Sequence, residues 1–233
     1  MIDKALEEVL SKTKLQELGE VSTFLGIEFS LEREEGLKGQ NGQNGRKGYK
    51  SLKLHQTKYV INMLKRFGKE NLPPVSTPVQ EGVKLQKATL DPSKEDLNFY
   101  QQQVGSLLFL STKTRPDIAF VVNNCARYMA KPNKFHFTAL DRIWRYLIKY
   151  PNLGLCFSCE NDLIGLLGYS DSDWANCLIN RRSTIGYCFL FNRNLISWNS
   201  TLQHTVALSS YEAEYMALRE AIKEAIFLSS ILG

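Results

Sequence analysis

Alternating apolar positions near the start of the chain predict two β-strands. The first lies within the run VSTFLGIEFSLE, residues 21–32, where Gly26 predicts a bend. The second is predicted over residues 49–56. The stretch 34–48 between them contains five glycines and few apolar residues. It therefore predicts a hairpin tip or a mobile insertion.

The hydrophobic repeat then changes to helical spacing. One face of the predicted helix carries Tyr59, Met63, Leu64 and Phe67. Lysine and arginine occupy the other faces, and Gly68 lies near the predicted end. The proline-containing run 73–79 cannot be the interior of a helix, and so it predicts an extended connector.

Residues 96–150 contain three further apolar sets at helical spacing, and the second set begins just after Pro116. The sets are Val104, Leu107 and Leu108; Ile118, Val121, Val122, Cys125, Tyr128 and Met129; and Leu140, Ile143, Trp144, Leu147 and Ile148. Short links join them, and the pattern predicts a small helical bundle.

The last third returns to strand signals, in four apolar and β-branched segments separated by turn residues. These segments are 153–160, 162–171, 183–192 and 195–201. One more helix is predicted to begin near Ser209 or Ser210, with acidic residues in its first turn. Its sheet-facing side is expected to carry Ala213, Met216, Ala217, Ala221 and Ile222. Strands followed by a packed helix indicate an α+β fold.

Composition narrows the class of protein. The chain has 233 residues, of which 43% are hydrophobic, so a mainly disordered protein is excluded. No run of about 18 apolar residues predicts a membrane span, and the first residues lack a secretory signal. Five cysteines are expected to be reduced thiols. We therefore expect an intracellular protein, cytoplasmic or nuclear.

The charge is unevenly distributed. Residues 151–233 carry five basic and eight acidic side chains, a net charge of −3, whereas the whole chain carries +5. Residues 1–150 therefore carry +8. This excess predicts a polyanionic partner such as nucleic acid. A merely solvated basic surface explains it equally well.

Two carboxylates stand out as candidates for chemistry. Asp171 is placed at the end of an apolar strand, and Glu214 lies in the first turns of the last predicted helix. Carboxylates from a strand end and a facing helix can converge on Mg²⁺, and a two-metal site can cleave a phosphodiester. Spacing alone favours the structural interpretation, a turn-capping Asp and a helix-start Glu.

Other candidates are weaker. Cys156 and Cys159 form a C-x-x-C pair, but no second pair completes a zinc site, and buried thiols are predicted instead. The three tryptophans could stack on bases but are predicted to lie in the core. The histidines are expected to be surface or helix-start residues rather than ligands. The tryptophans are Trp144, Trp174 and Trp198; the histidines are His55, His136 and His204.

The sequence segments around the two acidic residues resemble those of a known family. GYSDSDWAN, RRSTIGYCFLF and ALSSYEAEYMAL are similar to the ribonuclease H region of copia-type retrotransposon polyproteins. LQELGEVSTFLGIEFS and LHQTKYVINMLKRFG resemble the end of the reverse transcriptase of these elements, and TRPDIAF resembles the joining segment. The resemblance covers nearly the whole chain in the correct order.

This resemblance implies three sections. Residues 1–80 would be the end of the reverse transcriptase, a palm/thumb-like region; 81–150 a helical connection; and 151–233 a truncated ribonuclease H-like domain with an incomplete mixed sheet and a packed helix. It also implies that Asp171 and Glu214 are catalytic Mg²⁺ ligands, with Asp173 as a neighbour in a supporting role. Arg115 and Asp117, in the joining motif, are expected to form a salt-linked helix start.

The sequence departs from the family pattern at the residues that carry chemistry. The paired aspartates of the polymerase do not occur, and the chain stops before the third ribonuclease H Asp. We therefore expect a polyprotein fragment that is inactive alone. One alternative is a non-catalytic module that binds an RNA–DNA hybrid or other nucleic acid through residues 1–150. Another is a nuclease completed by a second polyprotein chain that supplies the missing acids.

Overall fold

The computed structural model describes residues 21–33, 49–80, 82, 85–158, 165–175, 177 and 180–232. Helices and antiparallel sheets make up this part of the chain, and the predicted α+β class is confirmed. The predicted hairpin tip at 34–48 lies outside the described residues. No helix in the described part is long and apolar enough to cross a membrane.

The first sheet brings together distant parts of the chain. Its strands are β1 (Thr23–Phe24), β2 (Ile27–Arg33), β3 (Tyr49–His55) and β4 (Gly154–Ser158), in that order and antiparallel. Leu25 and Gly26 both have positive φ, which makes the tight turn between β1 and β2. The bend predicted at Gly26 is thus confirmed.

Four helices follow, and the last three are joined by short links as predicted. They are α1 (Thr57–Arg66), α2 (Lys94–Lys113), α3 (Ala119–Ala126) and α4 (Lys134–Lys149). A 3₁₀ turn over Pro116–Ile118 precedes α3, with the proline in its first turn. The apolar pattern predicted that α3 would extend to Met129, but the helix ends at Ala126. The Tyr128 hydroxyl instead donates to the Leu85 carbonyl, at 2.7 Å, and thereby anchors the preceding connector.

These helices share one hydrophobic core. Trp144 of α4 is fully buried, and its indole N–H donates to Gln103 Oε1 of α2 at 2.8 Å. The predicted core positions of α2 and α4 are confirmed, including Val104, Leu107, Leu140 and Ile143, all at zero exposure. Burial of each such side chain contributes about 1.5–3 kcal/mol.

The second sheet contains β5 (Leu166–Asp173), β6 (Thr184–Phe191) and β7 (Asn194–Leu202), in that order. We expected a mixed sheet, but each neighbouring pair of the described strands is antiparallel. The two-residue turn at Asn192 and Arg193, both with positive φ, closes the hairpin between β6 and β7. Such a connection permits only antiparallel pairing.

The last helix, α5 (Ser210–Leu232), packs on this sheet through its small residues. Ala213, Ala217 and Ala221 are buried, as predicted. Ile222 was predicted to face the sheet, but it is 48% exposed, because the alanine stripe alone is directed at the strands. The predicted Ser N-cap is confirmed at Ser209, whose Oγ accepts the Glu212 N–H at 3.1 Å.

Candidate functional site

Asp171 lies within β5 rather than at its end. The strand continues for two residues to Asp173, so the prediction of a strand end at Asp171 is wrong. The strand continues because Asp171 pairs with Gly186 and Asp173 pairs with Thr184, which extends the β-ladder into the polar SDSD segment. The Asp171 side chain is exposed.

Alternation along the strands shows which face of the sheet carries Asp171. The row Tyr169, Cys188 and Trp198 shares one face with Asp171, since side chains two residues apart point the same way. Trp198 Nε1 donates to the Ser111 carbonyl of α2 at 2.8 Å. Asp171 is therefore on the face directed at the helical bundle, where it lines a pocket of about 450 Å³ with Pro116 and other bundle residues.

The helix that carries Glu214 packs on the opposite face. Ser197 of β7 donates to Glu224 Oε1 of α5 at 2.6 Å, and Ser197 is adjacent to Trp198. At 100° per residue, Glu224 lies on the same stripe of the helix as the buried alanines, and Glu214 lies beside that stripe. Glu214 is exposed.

The two carboxylates supply the oxygen donors that Mg²⁺ prefers, but their number and placement do not make a site. Among the described residues, no three His, Cys, Asp or Glu side chains gather closely enough to hold a metal ion. Asp171 also points to the bundle face, whereas Glu214 extends from a helix on the other face. The residues present therefore do not fit a two-metal centre, and we derive no catalytic step through one.

Arg115 and Asp117 form the salt-linked helix start that we predicted. Arg115 is 1% exposed, and its Nε and Nη2 both donate to the Asp117 carboxylate, at 2.8–3.2 Å. Its Nη1 donates to the Tyr150 carbonyl at 2.9 Å. This guanidinium ties the turn before α3 to the end of α4, which is a structural role.

A pocket that the sequence did not predict lies beside the bundle. It has a volume of about 450 Å³, between the connector that follows residue 77 and the helices α3 and α4. Phe120 and Phe135 line it on the apolar side, and Arg142 and Arg145 on the polar side. Only the clustering of aromatic and basic residues at the start of α4 could have indicated it from the sequence.

Basic side chains are concentrated in one segment of the described surface. Residues 49–69 contain six basic side chains and no acidic one. They form β3 and α1, on which Lys50, Lys58, Lys65 and Arg66 are exposed. Lys69 is compensated by Asp141, with Nζ and Oδ1 2.6 Å apart. Lys58 Nζ lies 3.5 Å from Glu28 Oε1 of β2. Lys50, Lys65 and Arg66 therefore make up the exposed positive surface across this strand and helix.

The weaker candidates have mixed outcomes. Cys156 is exposed, because its position in β4 faces away from the core, so the prediction of a buried thiol is wrong there. Cys159 lies outside the described residues. Trp144 is in the core as predicted, and Trp198 is partly buried. Trp174 is 47% exposed, contrary to prediction, because it lies in the turn that follows β5. Its indole N–H donates to the Ala207 carbonyl, 3.3 Å away.

Comparisons with known proteins identify sequences to which this chain is similar. The chain is 35% identical over its whole length to the retrovirus-related Pol polyprotein from transposon TNT 1-94 of Nicotiana tabacum, and covers 17% of that protein. It is 34% identical to the Pol polyprotein from transposon RE2 of Arabidopsis thaliana, over 88% of the chain and 14% of the relative. The chain thus spans about a sixth of the length of these polyproteins.

A shorter relative matches over most of its own length. This uncharacterized mitochondrial protein of Arabidopsis thaliana is 33% identical, over 94% of the chain and 82% of the relative. No family model and no solved structure matches the chain. The continuous match to polyproteins, in which the strands, bundle and last helix all take part, shows that the chain belongs to the copia-type retrotransposon Pol polyprotein family.

Proposed function

We propose that the chain is a nucleic-acid-binding part of a copia-type polyprotein. It would correspond to the end of the reverse transcriptase, the helical connection and a ribonuclease H-like region. The observation that carries the proposal is the acid-free segment 49–69, which presents lysines and an arginine together on β3 and α1. Exposed cations on a rigid strand–helix unit bind phosphates and release counterions. The partner would be an RNA–DNA hybrid or another nucleic acid.

The proposal is tested with substitutions on α1. Lys65 and Arg66 are exposed, so Lys65→Gln combined with Arg66→Gln removes two charges from α1 and leaves the core intact. We expect the affinity for a labelled RNA–DNA hybrid to fall roughly tenfold or more at low salt, since two phosphate contacts are lost. Fluorescence anisotropy measures the change.

The matched control is Lys223→Gln, which removes an exposed lysine from α5. This variant should bind the hybrid as the unchanged chain does. Equal weakening by the α1 double variant and by the control would contradict a binding surface on β3 and α1, and would indicate general electrostatic attraction.

We also propose that this chain alone does not hydrolyse the RNA of a hybrid. The proposal is supported by the exposure of both carboxylates and by their placement: Asp171 lies on the bundle face of the sheet, and Glu214 lies on the helix that packs on the opposite face. Two carboxylates so placed would leave a Mg²⁺ ion held mainly by water. Mg²⁺ would complete a catalytic centre only with further acids, such as those of a second polyprotein chain.

A cleavage assay tests this second point. Purified chain is incubated with a labelled hybrid and Mg²⁺, beside the Asp171→Asn and Glu214→Gln variants. We expect no cleavage above background in any of the three. Cleavage by the unchanged chain that is lost in both variants would contradict the proposal, because the two carboxylates would then act together in a working site.

A further inference from the structure

The connector between α1 and α2 follows α4 and contacts two arginines of that helix. Arg145 Nε donates to the Pro73 carbonyl at 2.6 Å, and Arg142 Nη2 donates to Thr77 Oγ1 at 2.8 Å. As the connector proceeds from residue 73 to residue 77, its contacts on α4 therefore move from Arg145 back to Arg142. The connector thus runs antiparallel to the helix and reaches the pocket beside the bundle at Pro78.

One stripe of α4 lines this pocket. Phe135, Thr138 and Arg142 all lie along it, and their spacing of three and four residues places them on one side of the helix. Phe120 of α3 and Arg145 of α4 complete the set. We call the space lined by these five residues the connector pocket.

Two aromatic rings of the connector pocket are accessible to a ligand. Phe135 is 65% exposed, and Phe120 is 37% exposed. Neither ring packs on another aromatic ring among the described residues. Lys134 Nζ lies 5.7 Å from the centroid of the Phe135 ring. Exposed aromatic faces next to cations are typical of surfaces on which nucleic-acid bases stack.

The same pocket carries two guanidinium groups with donors to spare. Arg142 and Arg145 are half-buried, and neither forms an ion pair with an acidic residue in the described part of the chain. A guanidinium has five N–H donors, of which each of these two uses one on the connector. Arg142 Nε has no hydrogen-bond partner among the described residues. Such a pair favours an anion with several acceptor oxygens, such as a phosphate.

The size of the connector pocket suits a single nucleotide. Its volume is about 450 Å³, within the range of about 300–1,000 Å³ that is typical of small-molecule sites. Asp173, at the end of β5, also lines it. A phosphate therefore belongs at the two arginines, where the charge is positive.

We propose that the connector pocket binds an unpaired nucleotide of a nucleic-acid strand. The base stacks on the exposed rings of Phe120 and Phe135, and the phosphate accepts hydrogen bonds from Arg142 and Arg145. A base within a duplex is covered on both faces by its neighbours and cannot enter a pocket without leaving the stack. The pocket thus distinguishes single-stranded from paired nucleic acid.

Placement along the chain favours a nucleotide over an acidic peptide as the occupant. Lys65 and Arg66 lie in the last turn of α1, directly before the connector that leads to the pocket. A strand whose phosphates contact this basic segment can therefore continue along the connector to the two arginines. The inference rests on the proposed nucleic-acid binding for the source of the strand, but it concerns a different site.

Three ligands with the same RNA–DNA duplex test the proposal by fluorescence anisotropy. One hybrid is blunt, one carries a short unpaired overhang, and one carries an abasic overhang with the same number of phosphates. We expect the overhang with bases to bind the unchanged chain about fivefold or more tightly than the abasic overhang, because at least one base stacks on the protein.

Substitutions locate the effect. Phe135→Ala should abolish the preference for the overhang with bases, and Arg142→Gln should weaken both overhangs severalfold while the blunt hybrid binds as before. Phe135 is largely exposed, so its variant should keep the folded circular-dichroism spectrum. The matched controls on α5 are Tyr211→Ala, at an aromatic residue that is 83% exposed, and Arg219→Gln, at an exposed arginine. Both should bind all three ligands as the unchanged chain does.

The Lys65→Gln and Arg66→Gln double variant separates the pocket from the basic segment. It should weaken all three ligands by a similar factor and retain the preference for bases. Unchanged affinities in this variant would contradict the basic segment alone, whereas the preference would still support the pocket.

Three results would overturn the proposal. The first is equal affinity of the unchanged chain for the overhang with bases and the abasic overhang. The second is a preference for bases that Phe135→Ala retains in full. The third is a peptide of alternating Glu and Phe that binds the unchanged chain more tightly than the overhang does and loses its affinity in Phe135→Ala, because the pocket would then take a protein ligand.

Discussion

At the scale of single residues, His136 shows how local chemistry and burial combine. Its Nδ1 accepts the Asn133 N–H at 2.9 Å, and the Asn133 side chain accepts the His136 N–H in return, which closes a capping box at the start of α4. The ring is fully buried and stacks on Tyr128, with centroids 4.0 Å apart. Burial lowers the pKa of His136 from its ordinary 6.5, because the charged imidazolium would be desolvated.

This lowered pKa predicts a pH-dependent stability. Below pH 6.5 the unfolded chain takes up a proton at His136 that the folded chain resists, so the free energy of unfolding falls as the solution is acidified. The contribution is fully present above pH 6.5 and amounts to about 1.4 kcal/mol for each unit by which the pKa is lowered. Urea unfolding between pH 7.5 and 5.5 should therefore show a loss of stability.

His136→Gln retains an amide that can close the capping box but cannot titrate, so this variant should lose less stability over the same pH range. The control His204→Gln changes an exposed ring and should keep the slope of the unchanged chain. An identical slope in His136→Gln and the unchanged chain would show that another group dominates.

Local patterns in the sequence identified some of these residues but not their burial. The helix-start role of His136 and the Arg115–Asp117 link were predicted, because caps and short-range ion pairs are encoded within a few residues. The full burial of His136 was not predicted, since it depends on Tyr128 and on the connector before α2. The prediction that Cys156 is buried was wrong for the same reason, because packing elsewhere in the molecule decides which side of a strand is covered.

At the scale of elements, β4 illustrates the limit of periodicity. Its apolar segment was predicted as a strand and grouped with the strands of residues 151–233. The structure pairs it with β3 instead, with Leu155 opposite Leu54 and Phe157 opposite Leu52. The existence of a strand follows from local composition, whereas the strand with which it pairs is fixed by long-range packing across the bundle. The division into sections 1–80, 81–150 and 151–233 stays a prediction.

Replacing either of two glycines by alanine is predicted to change the stability of the protein in opposite directions. A Cβ at Gly168 of β5 would overlap the ring of Phe189, which crosses over it and is buried. Gly168→Ala should therefore lower the free energy of unfolding by about 1–3 kcal/mol. Gly105 lies inside α2 with no atom within 4 Å of an added Cβ, so Gly105→Ala should raise stability by about 0.5–1 kcal/mol.

Chemical unfolding of the two variants beside the unchanged chain distinguishes these effects, and the Gly105 variant serves as the control for adding one methyl group. Equal effects of the same sign would contradict the account of the Gly168–Phe189 contact. Stabilisation by Gly168→Ala would mean that the Phe189 ring moves aside without cost.

At the scale of the whole molecule, polar contacts join the second sheet to the rest. Trp198 donates to the Ser111 carbonyl of α2, Arg127 Nη2 donates to Thr184 Oγ1 at 2.9 Å, and Asn194 binds both backbone polar groups of Ser158. The bundle thus connects two antiparallel sheets. This arrangement places the basic segment on β3 and α1 at the first sheet and the two carboxylates on elements of the second.

Ionic-strength dependence of hybrid binding tests the central claim most directly. The dissociation constant of the unchanged chain for an RNA–DNA hybrid is measured from about 50 to about 200 mM salt. If the basic segment contacts phosphates, the constant should rise more than about tenfold over this range, and its logarithm should rise linearly with the logarithm of salt concentration. Absence of binding at the lowest salt, or binding that salt does not weaken, would contradict the claim.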